Sequence, residues 1–286
     1  MQTILRSKSN EVIIDTKGPF VIIGEKINPT GRKKLASALL EGNLDIVTEL
    51  ASSQVALGAD MLDINAGVPE LDEVSLLPRL VKIVTDITDV PICLDSANPS
   101  ALAAALALTP GKPLINSVNG EEASLKAILP MVKERGAAVI GLTMDENGIP
   151  QDTETRLAIA EKILERAAKM GIPSEDVIID PLVMAVGADS NAGAITLRTI
   201  EILSRNFGVN INLGASNVSF GLPDRHTVNQ AFLALAIGAG ATCAITDPIK
   251  LTSIIRASDL LLGKDDYAAR YIRHFRKVQA LLPKDA

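Results

Sequence analysis

The chain has 286 residues, of which 47% are hydrophobic and 22% are charged, and its formal net charge at pH 7 is −6. This composition is typical of a globular protein, and the length fits one large α/β domain or two small ones. The acidic balance argues against a nucleic-acid or membrane-surface footprint. No run approaches the roughly 20 apolar residues of a membrane span, and residues 1–18 lack the apolar core of a signal peptide. A cytoplasmic protein is therefore expected.

Two features of the composition bear on ligands. Cys93 and Cys243 both lie within apolar runs, which indicates buried reduced thiols, with a redox pair as the alternative. Aromatic residues make up only 2% of the chain, and tryptophan is absent. A flat heterocycle would therefore have to be held mainly by polar groups on rigid elements.

Eight short apolar segments recur along the chain, each followed by a polar or glycine-rich turn and then a helical pattern. They are near-continuous apolar runs, as expected for parallel strands that are buried on both faces. The predicted strands are residues 20–24, 61–65, 91–95, 113–116, 138–143, 177–180, 210–214 and 242–246. The predicted helices are residues 44–57, 71–87, 99–108, 121–135, 153–170, 194–207 and 228–239.

This alternation predicts the fold class. Eight β and α units with no linker and no shift in composition predict one α/β domain over residues 1–286, a closed (β/α)8 TIM barrel, with a doubly wound sheet as the alternative. Residues 1–17 are expected to be an N-terminal extension that caps the barrel or frays. Residues 265–286 are expected to form an amphipathic C-terminal helix that packs on the barrel or makes a subunit contact, with one apolar face formed by Ile272, Phe275, Val278 and Leu281–Leu282.

The residues that end the predicted strands are unusually polar, and active sites of such barrels lie at these ends. Asn and Asp also favour turns and helix caps, so Asn98 and Asn119 are best explained as caps. Asp95, Asn116 and Asp180 close the third, fourth and sixth strands and would converge on one pocket. Two carboxylates and an amide suit a ligand that offers a row of N–H donors and one acceptor, such as the edge of a pterin or guanine.

Other kinds of site have little support. His226 and His274 are far apart and no His/Cys cluster exists, so no tightly bound metal is expected, although scattered carboxylates leave a Mg²⁺ site open. Phosphate-binding loops of the G-x-x-x-x-G-K type, a G-x-S-x-G elbow and a Cys–His arrangement are all absent from the sequence.

Seven motifs occur in order, each at a strand end: GEKIN at 24–28, MLDINAG at 61–67, LDSANP at 94–99, LINSVNG at 114–120, GLTMDENGIP at 141–150, IDPL at 179–182 and GASNVSFGLP at 214–223. With them the chain resembles the methyltetrahydrofolate:corrinoid methyltransferases of the pterin-binding barrel superfamily. That superfamily includes the folate domain of cobalamin-dependent methionine synthase and, more distantly, dihydropteroate synthase. The resemblance runs from about residue 21 to about residue 275.

The resemblance implies an enzyme that moves a methyl group between N5 of tetrahydrofolate and the cobalt of a corrinoid held by a partner protein. The direction of transfer stays open, including transfer from methylcorrinoid to tetrahydrofolate in an O- or N-demethylase system. The family is commonly homodimeric, so a homodimer is expected.

The family's site positions carry over residue by residue. The implied folate-binding residues are Asp95, Asn116, Asp180, Gly214, Ser216, Asn217, Arg225, Glu25 and Asn28. The implied corrinoid-facing residues are Phe220 and Arg225. Asn217 and Asp180 are the expected catalytic residues, since Asn217 matches the asparagine near N5.

An asparagine suits this chemistry because its amide can accept a hydrogen bond from protonated N5 and, by reorienting, can donate one to neutral N5. A preorganised dipole of this kind is worth roughly 2.7–4 kcal/mol in comparable sites. The proton itself would move through water or Asp180.

Three other functions are considered, because parts of the sequence can be compared with the motifs of other families. Dihydropteroate synthases carry a lysine in the strand-seven loop and an R-x-H after strand eight, where this chain has SNVSF and TDPIK. Residues 224–229 (DRHTVN) match the first half of the D-x-H-x-x-G motif of corrinoid carriers, but Asn229 replaces the glycine. A folate-binding barrel without catalysis is the third.

Phe220 stands where the acetogen enzymes carry glutamine and methionine synthase carries Phe, so no polar contact to the corrinoid is implied there.

Overall fold

The computed structural model describes residues 1–281, and its centre is a sheet of seven parallel strands. In chain order the strands are β1 (Gln2–Arg6) and β2 (Glu11–Asp15), which form a hairpin, and then β3 (Val21–Ile27), β4 (Met61–Asn65), β5 (Ile92–Asp95), β6 (Leu114–Asn119), β7 (Ala138–Leu142), β8 (Val177–Asp180) and β9 (Cys243–Thr246). The parallel strands pair in the order β8-β7-β6-β5-β4-β3-β9. Seven of the eight predicted strands are confirmed by this sheet.

The remaining predicted strand, residues 210–214, is irregular but closes the ring between β8 and β9. The N–H groups of Ile179 and Ile245 donate to carbonyls of this segment at 3.0 and 2.9 Å, from its two sides. The regular ladder is interrupted because the N–H of Ile211 donates to the Thr242 hydroxyl at 2.9 Å. The prediction of a (β/α)8 barrel is confirmed, with an irregular segment in the position of the seventh barrel strand.

Helices pack around the sheet, and seven of them coincide with the helices predicted between the strands. The described helices are α1 (Lys33–Leu40), α2 (Asp45–Ala56), α3 (Glu73–Ile87), α4 (Pro99–Leu108), α5 (Glu122–Arg135), α6 (Thr153–Lys169), α7 (Ala192–Ile202), α8 (Arg225–Ala239), α9 (Pro248–Leu261) and α10 (Ala269–Leu281). Helices α1 and α9 are additions that the apolar periodicity did not predict.

Side-chain caps fix several helix starts. Asn98 caps α4, as predicted, by accepting a hydrogen bond from the N–H of Ser100 at 3.0 Å. Asp247 caps α9 in the same way. The cap predicted at Asn119 is wrong, because Asn119 still belongs to β6 and its side chain accepts from the N–H of Glu121 in the turn before α5.

Two apolar layers hold the barrel together. One layer fills the space between the sheet and the helices, and the other fills the barrel interior. Cys93 and Cys243 both belong to the interior layer and are buried free thiols, as predicted. Burial raises the pKa of both thiols, so they stay protonated at neutral pH.

The N-terminal extension caps the barrel as the hairpin β1–β2. Leu5 and Ile14 are fully buried in the interior layer. The buried amide of Asn210 donates to the Thr3 hydroxyl at 2.9 Å and to the carbonyl of Ile14 at 2.8 Å. The hairpin therefore packs against the barrel interior, and the cavity described below lies at the carboxyl ends of the strands.

The C-terminal helix starts later than predicted, at Ala269, because Asp265 accepts hydrogen bonds from the backbone N–H groups of Arg270 and Tyr271 and caps it. Of its predicted apolar face, Ile272 is 41% exposed and Phe275 is 54% exposed. Packing on the barrel covers this face only in part. Leu282 and the side chain of Leu281 lie outside the described part of the structure. Over residues 1–281, no helix is both long and apolar enough to span a membrane.

Candidate active site

A cavity of about 760 Å³ lies at the carboxyl ends of the barrel strands. The predicted site residues all line it: Glu25, Asn28, Asp95, Asn116, Asp180, Gly214, Ser216, Asn217, Phe220 and Arg225. Side chains from the first barrel strand to the start of α8 are thus brought to one place. Their roles toward a ligand remain predictions.

Asp180 ends β8 and is held from both sides. Its Oδ1 accepts a hydrogen bond from the N–H of Leu182 at 2.8 Å, and its Oδ2 accepts one from the amide of Asn212 at 2.7 Å. Burial raises the pKa of Asp180 to about 6, against the lowering effect of these two hydrogen bonds and of the nearby positive charge of Arg156. The carboxylate is therefore oriented and mostly ionised at neutral pH.

Asp95 ends β5 on the other side of the cavity. Its Oδ2 accepts a hydrogen bond from the Asn28 amide at 3.3 Å. Burial raises the pKa of Asp95 to about 6, and the negative charge of Glu73 adds to this rise while a hydrogen bond from Asn65 opposes it. Asp95 and Asp180 thus form two ionised carboxylates without a basic side chain in salt-bridge contact among the described residues.

Asn116 lies between them, and a third carboxyl group sets its orientation. The amide nitrogen of Asn116 donates to Oδ1 of Asp63 at 3.4 Å, which leaves its second N–H and its oxygen for a ligand. Burial, followed by the negative charge of Asp95, raises the pKa of Asp63 well above its usual range. The site therefore presents carboxylate acceptors from Asp95 and Asp180 and an amide from Asn116 that can both accept and donate, as a row of N–H donors with one acceptor requires.

The first barrel strand contributes two consecutive residues to the cavity because its pairing with β4 shifts register between Gly24 and Ile27. Glu25 accepts hydrogen bonds at 2.8 Å from Arg32 and from the Ser216 hydroxyl. Lys26 forms a largely buried ion pair with Asp247. Both charges are satisfied within the protein, so this wall is preorganised.

The SNVSF loop forms a short 3₁₀ helix, Ala215–Ser219, at the cavity mouth. Arg225 holds it from α8, since its guanidinium donates to the carbonyl of Ser216 at 2.7 Å and to the hydroxyl of Ser219 at 3.0 Å. Phe220 is 69% exposed, and its ring centre lies 5.9 Å from the Arg225 guanidinium. Arg225 therefore shapes this loop in addition to lining the cavity.

Asn217 lies in this loop with its side chain exposed toward the cavity mouth. Within residues 1–281, its side-chain amide makes no hydrogen bond to the protein. An amide without an internal partner is available to a ligand as donor or acceptor.

Asn212 and Asp63 also line the cavity, although neither was predicted as a site residue. A signal existed for both. Asp63 is a carboxyl residue within the apolar run MLDIN, and Asn212 alternates with Asn210 along one strand-like segment, so both amides face inward. Buried polar residues of this kind require partners, which only the fold identifies.

No cluster of three or more His, Cys, Asp or Glu side chains suited to a metal is present in the described part of the chain. His226 lines the cavity, whereas a ring nitrogen of His274 lies 3.1 Å from the hydroxyl of Ser253 in a different part of the molecule.

Residues 24–247 match the sequence profile of the family described as pterin binding enzyme. The methylcorrinoid:tetrahydrofolate methyltransferase of Eubacterium limosum is 31% identical over 266 residues, which cover 90% of this chain and 97% of that relative. The methionine synthase of Mycobacterium tuberculosis is 30% identical over 249 residues, which cover 82% of this chain and 21% of that larger protein.

Solved structures of dihydropteroate synthases share the fold. The Yersinia pestis enzyme with a pterine-sulfa conjugate superposes with a TM-score of 0.69 at 19% identity, covering 91% of this chain and 98% of that one. At this identity the likeness shows the fold alone, whereas the sequence relatives show the family. The chain therefore belongs to the pterin-binding enzyme family and, within it, to the tetrahydrofolate-dependent corrinoid methyltransferases that its motifs predicted.

Proposed function

We propose that this protein transfers a methyl group between the cobalt of a corrinoid carried by a partner protein and N5 of tetrahydrofolate. The observation that carries the proposal is the convergence of Asp95, Asn116 and Asp180 on one cavity. The Eubacterium limosum relative, which this chain matches over nearly its full length, acts on methylcorrinoid and tetrahydrofolate, according to its name.

The charges of the cavity fit a reduced pterin. Asp95 and Asp180 have pKa values of about 6 and are ionised at neutral pH without a cationic partner in direct contact among the described residues. A buried carboxylate is stabilised by N–H donors, and the pterin edge supplies several in one plane. Bound pterin would thus give both carboxylates further hydrogen-bond donors.

The chemistry of transfer is a nucleophilic displacement. In the direction that uses methylcorrinoid as donor, N5 attacks the methyl carbon, the cobalt–carbon bond breaks, and its electron pair stays on cobalt as Co(I). The proton of N5 must then leave. Asn217 offers an unengaged amide at the cavity mouth, and Asp180, with a pKa of about 6, can accept a proton near neutral pH.

The partner would approach the cavity mouth. Phe220 and Arg225 lie there, one an exposed apolar ring and the other a cation that holds the loop. We assign the corrinoid-facing surface to these two residues. We further propose that the protein is cytoplasmic and forms a homodimer. Analytical ultracentrifugation tests the last of these.

The experiment mixes purified protein with tetrahydrofolate and methylcob(III)alamin and records the appearance of cob(I)alamin by absorbance. We expect a rate that is proportional to enzyme and is lost in Asp180→Asn. A protein that binds tetrahydrofolate without any transfer to or from cobalt, even with a corrinoid protein present, would be a non-catalytic folate binder. A coloured protein with a corrinoid spectrum as purified would be a carrier.

A further inference from the structure

Arg156 on α6 is a buried arginine whose role the motifs leave open. It is only 1% exposed, yet within the described residues it forms no salt bridge with a carboxylate. Its guanidinium donates to the carbonyl of Pro150 at 3.0 Å and to the carbonyls of Pro181 and Leu182 at 2.9 Å each. Burying a cation costs free energy, so an arginine that is buried with only neutral acceptors in contact indicates a role beyond packing.

The turn that Arg156 holds is strained. Leu182 has a φ of 63°, in the left-handed region that a branched side chain rarely adopts. Two donors stabilise it there, since the carbonyl of Leu182 also accepts a hydrogen bond from the Thr196 hydroxyl at 3.2 Å. Arg156 thus joins the loop after β7, the turn after β8 and helix α7.

The held turn bears directly on the carboxylate of the cavity. Because Leu182 adopts this conformation, its N–H donates to Oδ1 of Asp180 at 2.8 Å. Leu182 itself lines the cavity beside Asp180. Loss of the Arg156 hydrogen bonds would therefore act on the Leu182 N–H, which is one of the donors that orient the carboxylate.

The second contribution is charge. Arg156 from α6 and Cys243 from β9 are titratable groups that interact with Asp180, and the Cys243 thiol is neutral because burial raises its pKa. Asp152, at the N-cap of α6, is the other acidic group whose charge acts on Arg156. The positive charge of Arg156 thus favours the ionised form of Asp180.

We infer that Arg156 is a positioning residue of the pterin site, which holds the Pro181–Leu182 turn so that Asp180 is oriented, and which places a buried positive charge near this carboxylate. The inference rests on the proposed function for its ligand, but its effect on Asp180 can be measured without one.

The test compares two variants. Arg156→Met removes both the charge and the hydrogen bonds to the turn, whereas Arg156→Lys keeps the charge but lacks the planar guanidinium that donates to several carbonyls. Arg166→Met is the control, because Arg166 lies on the same helix and pairs with Glu122 near the surface. The dissociation constant of tetrahydrofolate is measured from pH 5 to pH 8.5. In a second measurement, the Asp180 carboxyl is titrated by ¹³C NMR, with the signal assigned by its loss in Asp180→Asn.

Wild-type binding should weaken as pH falls through about 6. In Arg156→Met the Asp180 midpoint should rise by at least about 0.5 pH unit, and affinity at pH 7 should fall about tenfold or more. Arg156→Lys should lose affinity at every pH with its midpoint within about 0.2 unit of wild type, and Arg166→Met should match wild type. If Arg156→Met does not fold, Arg156→Gln makes the same comparison.

An unmoved Asp180 midpoint in the neutral variant would overturn the inference, and so would unchanged affinity. A purely structural role would lower affinity or stability without moving the midpoint. If the wild type bound no tetrahydrofolate at all, the proposed function would fail, whereas the NMR titration would still decide the role of Arg156.

Discussion

The side-chain amide of Asn212 donates to Oδ2 of Asp180 at 2.7 Å, which joins the irregular segment 210–214 to the end of β8 inside the cavity. Both side chains are buried, so the pair forms part of the rigid wall. The Cys243 thiol lies 3.6 Å from the amide oxygen of Asn212 and 3.7 Å from the carbonyl oxygen of Ile211, so its one hydrogen can be donated to either. Asn212 thus secures the carboxylate that the pterin hypothesis depends on.

Replacing Asn212 by Leu should weaken tetrahydrofolate binding about 10- to 100-fold, because a hydrogen bond to a charged group is worth roughly 1.5–3 kcal/mol. The measurement is a calorimetric titration at pH 7.5. Asn147→Leu serves as the control, since Asn147 lies in an exposed turn away from the cavity lining. Equal affinity in Asn212→Leu and wild type would show that Asp180 needs no help from Asn212.

Replacing Asn217 by Ala should lower the rate of methyl transfer about 100- to 1,000-fold, because it removes a dipole that acts on N5 in the transition state. Affinity for tetrahydrofolate should change less than about threefold, since this side chain is exposed and Asp95 and Asp180 hold the ring. Single-turnover kinetics and equilibrium titration separate the two quantities. Thr30→Ala, at another part of the cavity wall, should stay within about twofold. A rate for Asn217→Ala within twofold of wild type would refute the catalytic assignment.

The Asp95 carboxyl should contribute a loss of stability to the free protein as pH rises from about 4 to about 6. The folded-state pKa of Asp95, about 6, lies above the value of about 3.9 in an unfolded chain. Over this range the Asp95 carboxyl binds more protons in the folded state than in the unfolded state, so at this group each rise in pH favours unfolding. The change to Asp95→Asn should remove on the order of 2 kcal/mol of this pH-dependent loss.

Urea unfolding at pH 4.5 and pH 8 measures the effect. The control is Asp86→Asn, because Lys82 holds the pKa of that exposed carboxyl below its usual range and so gives it the opposite sign. The expectation fails if wild type and Asp95→Asn lose the same stability between the two pH values.

Replacing Phe220 by Ala should leave folding and tetrahydrofolate affinity unchanged, because the ring is 69% exposed. With free methylcob(III)alamin the rate should change less than about threefold, whereas with the physiological corrinoid protein the Michaelis constant should rise about tenfold, as expected for an exposed aromatic anchor in a protein interface. Leu235→Ala, an exposed residue further along α8, is the matched control. An unchanged Michaelis constant would remove Phe220 from the partner surface.

The barrel and the three polar residues Asp95, Asn116 and Asp180 could be predicted from the sequence because both depend on local pattern. Continuous apolar runs mark parallel strands, and the ends of such strands meet at one side of the sheet. Asp95, Asn116 and Asp180 could therefore be found by position alone. The cap at Asn98 is equally local, since an Asn followed by Pro and a helical pattern predicts a helix start.

The supporting residues could not be found in this way because their partners are set by tertiary register. Arg156 lies in TETRLAIAEKIL, where an arginine on a helix is ordinarily solvated, and only the packing of α6 against Pro181 buries it. Asn212 meets Asp180 because the parallel bridge between Ile179 and Ile211 places the next residue of each segment side by side, and that register is set by the whole barrel.

The most direct test of the central claim uses methylcob(III)alamin labelled with ¹³C in its methyl group. The labelled compound is mixed with tetrahydrofolate and catalytic amounts of the protein. We expect ¹³C-labelled 5-methyltetrahydrofolate by NMR, formed in equal amount to cob(I)alamin, with turnover abolished in Asp180→Asn. Label that stays on cobalt while tetrahydrofolate is bound, both with free methylcob(III)alamin and with the methylated corrinoid protein as donor, would contradict the proposed methyl transfer.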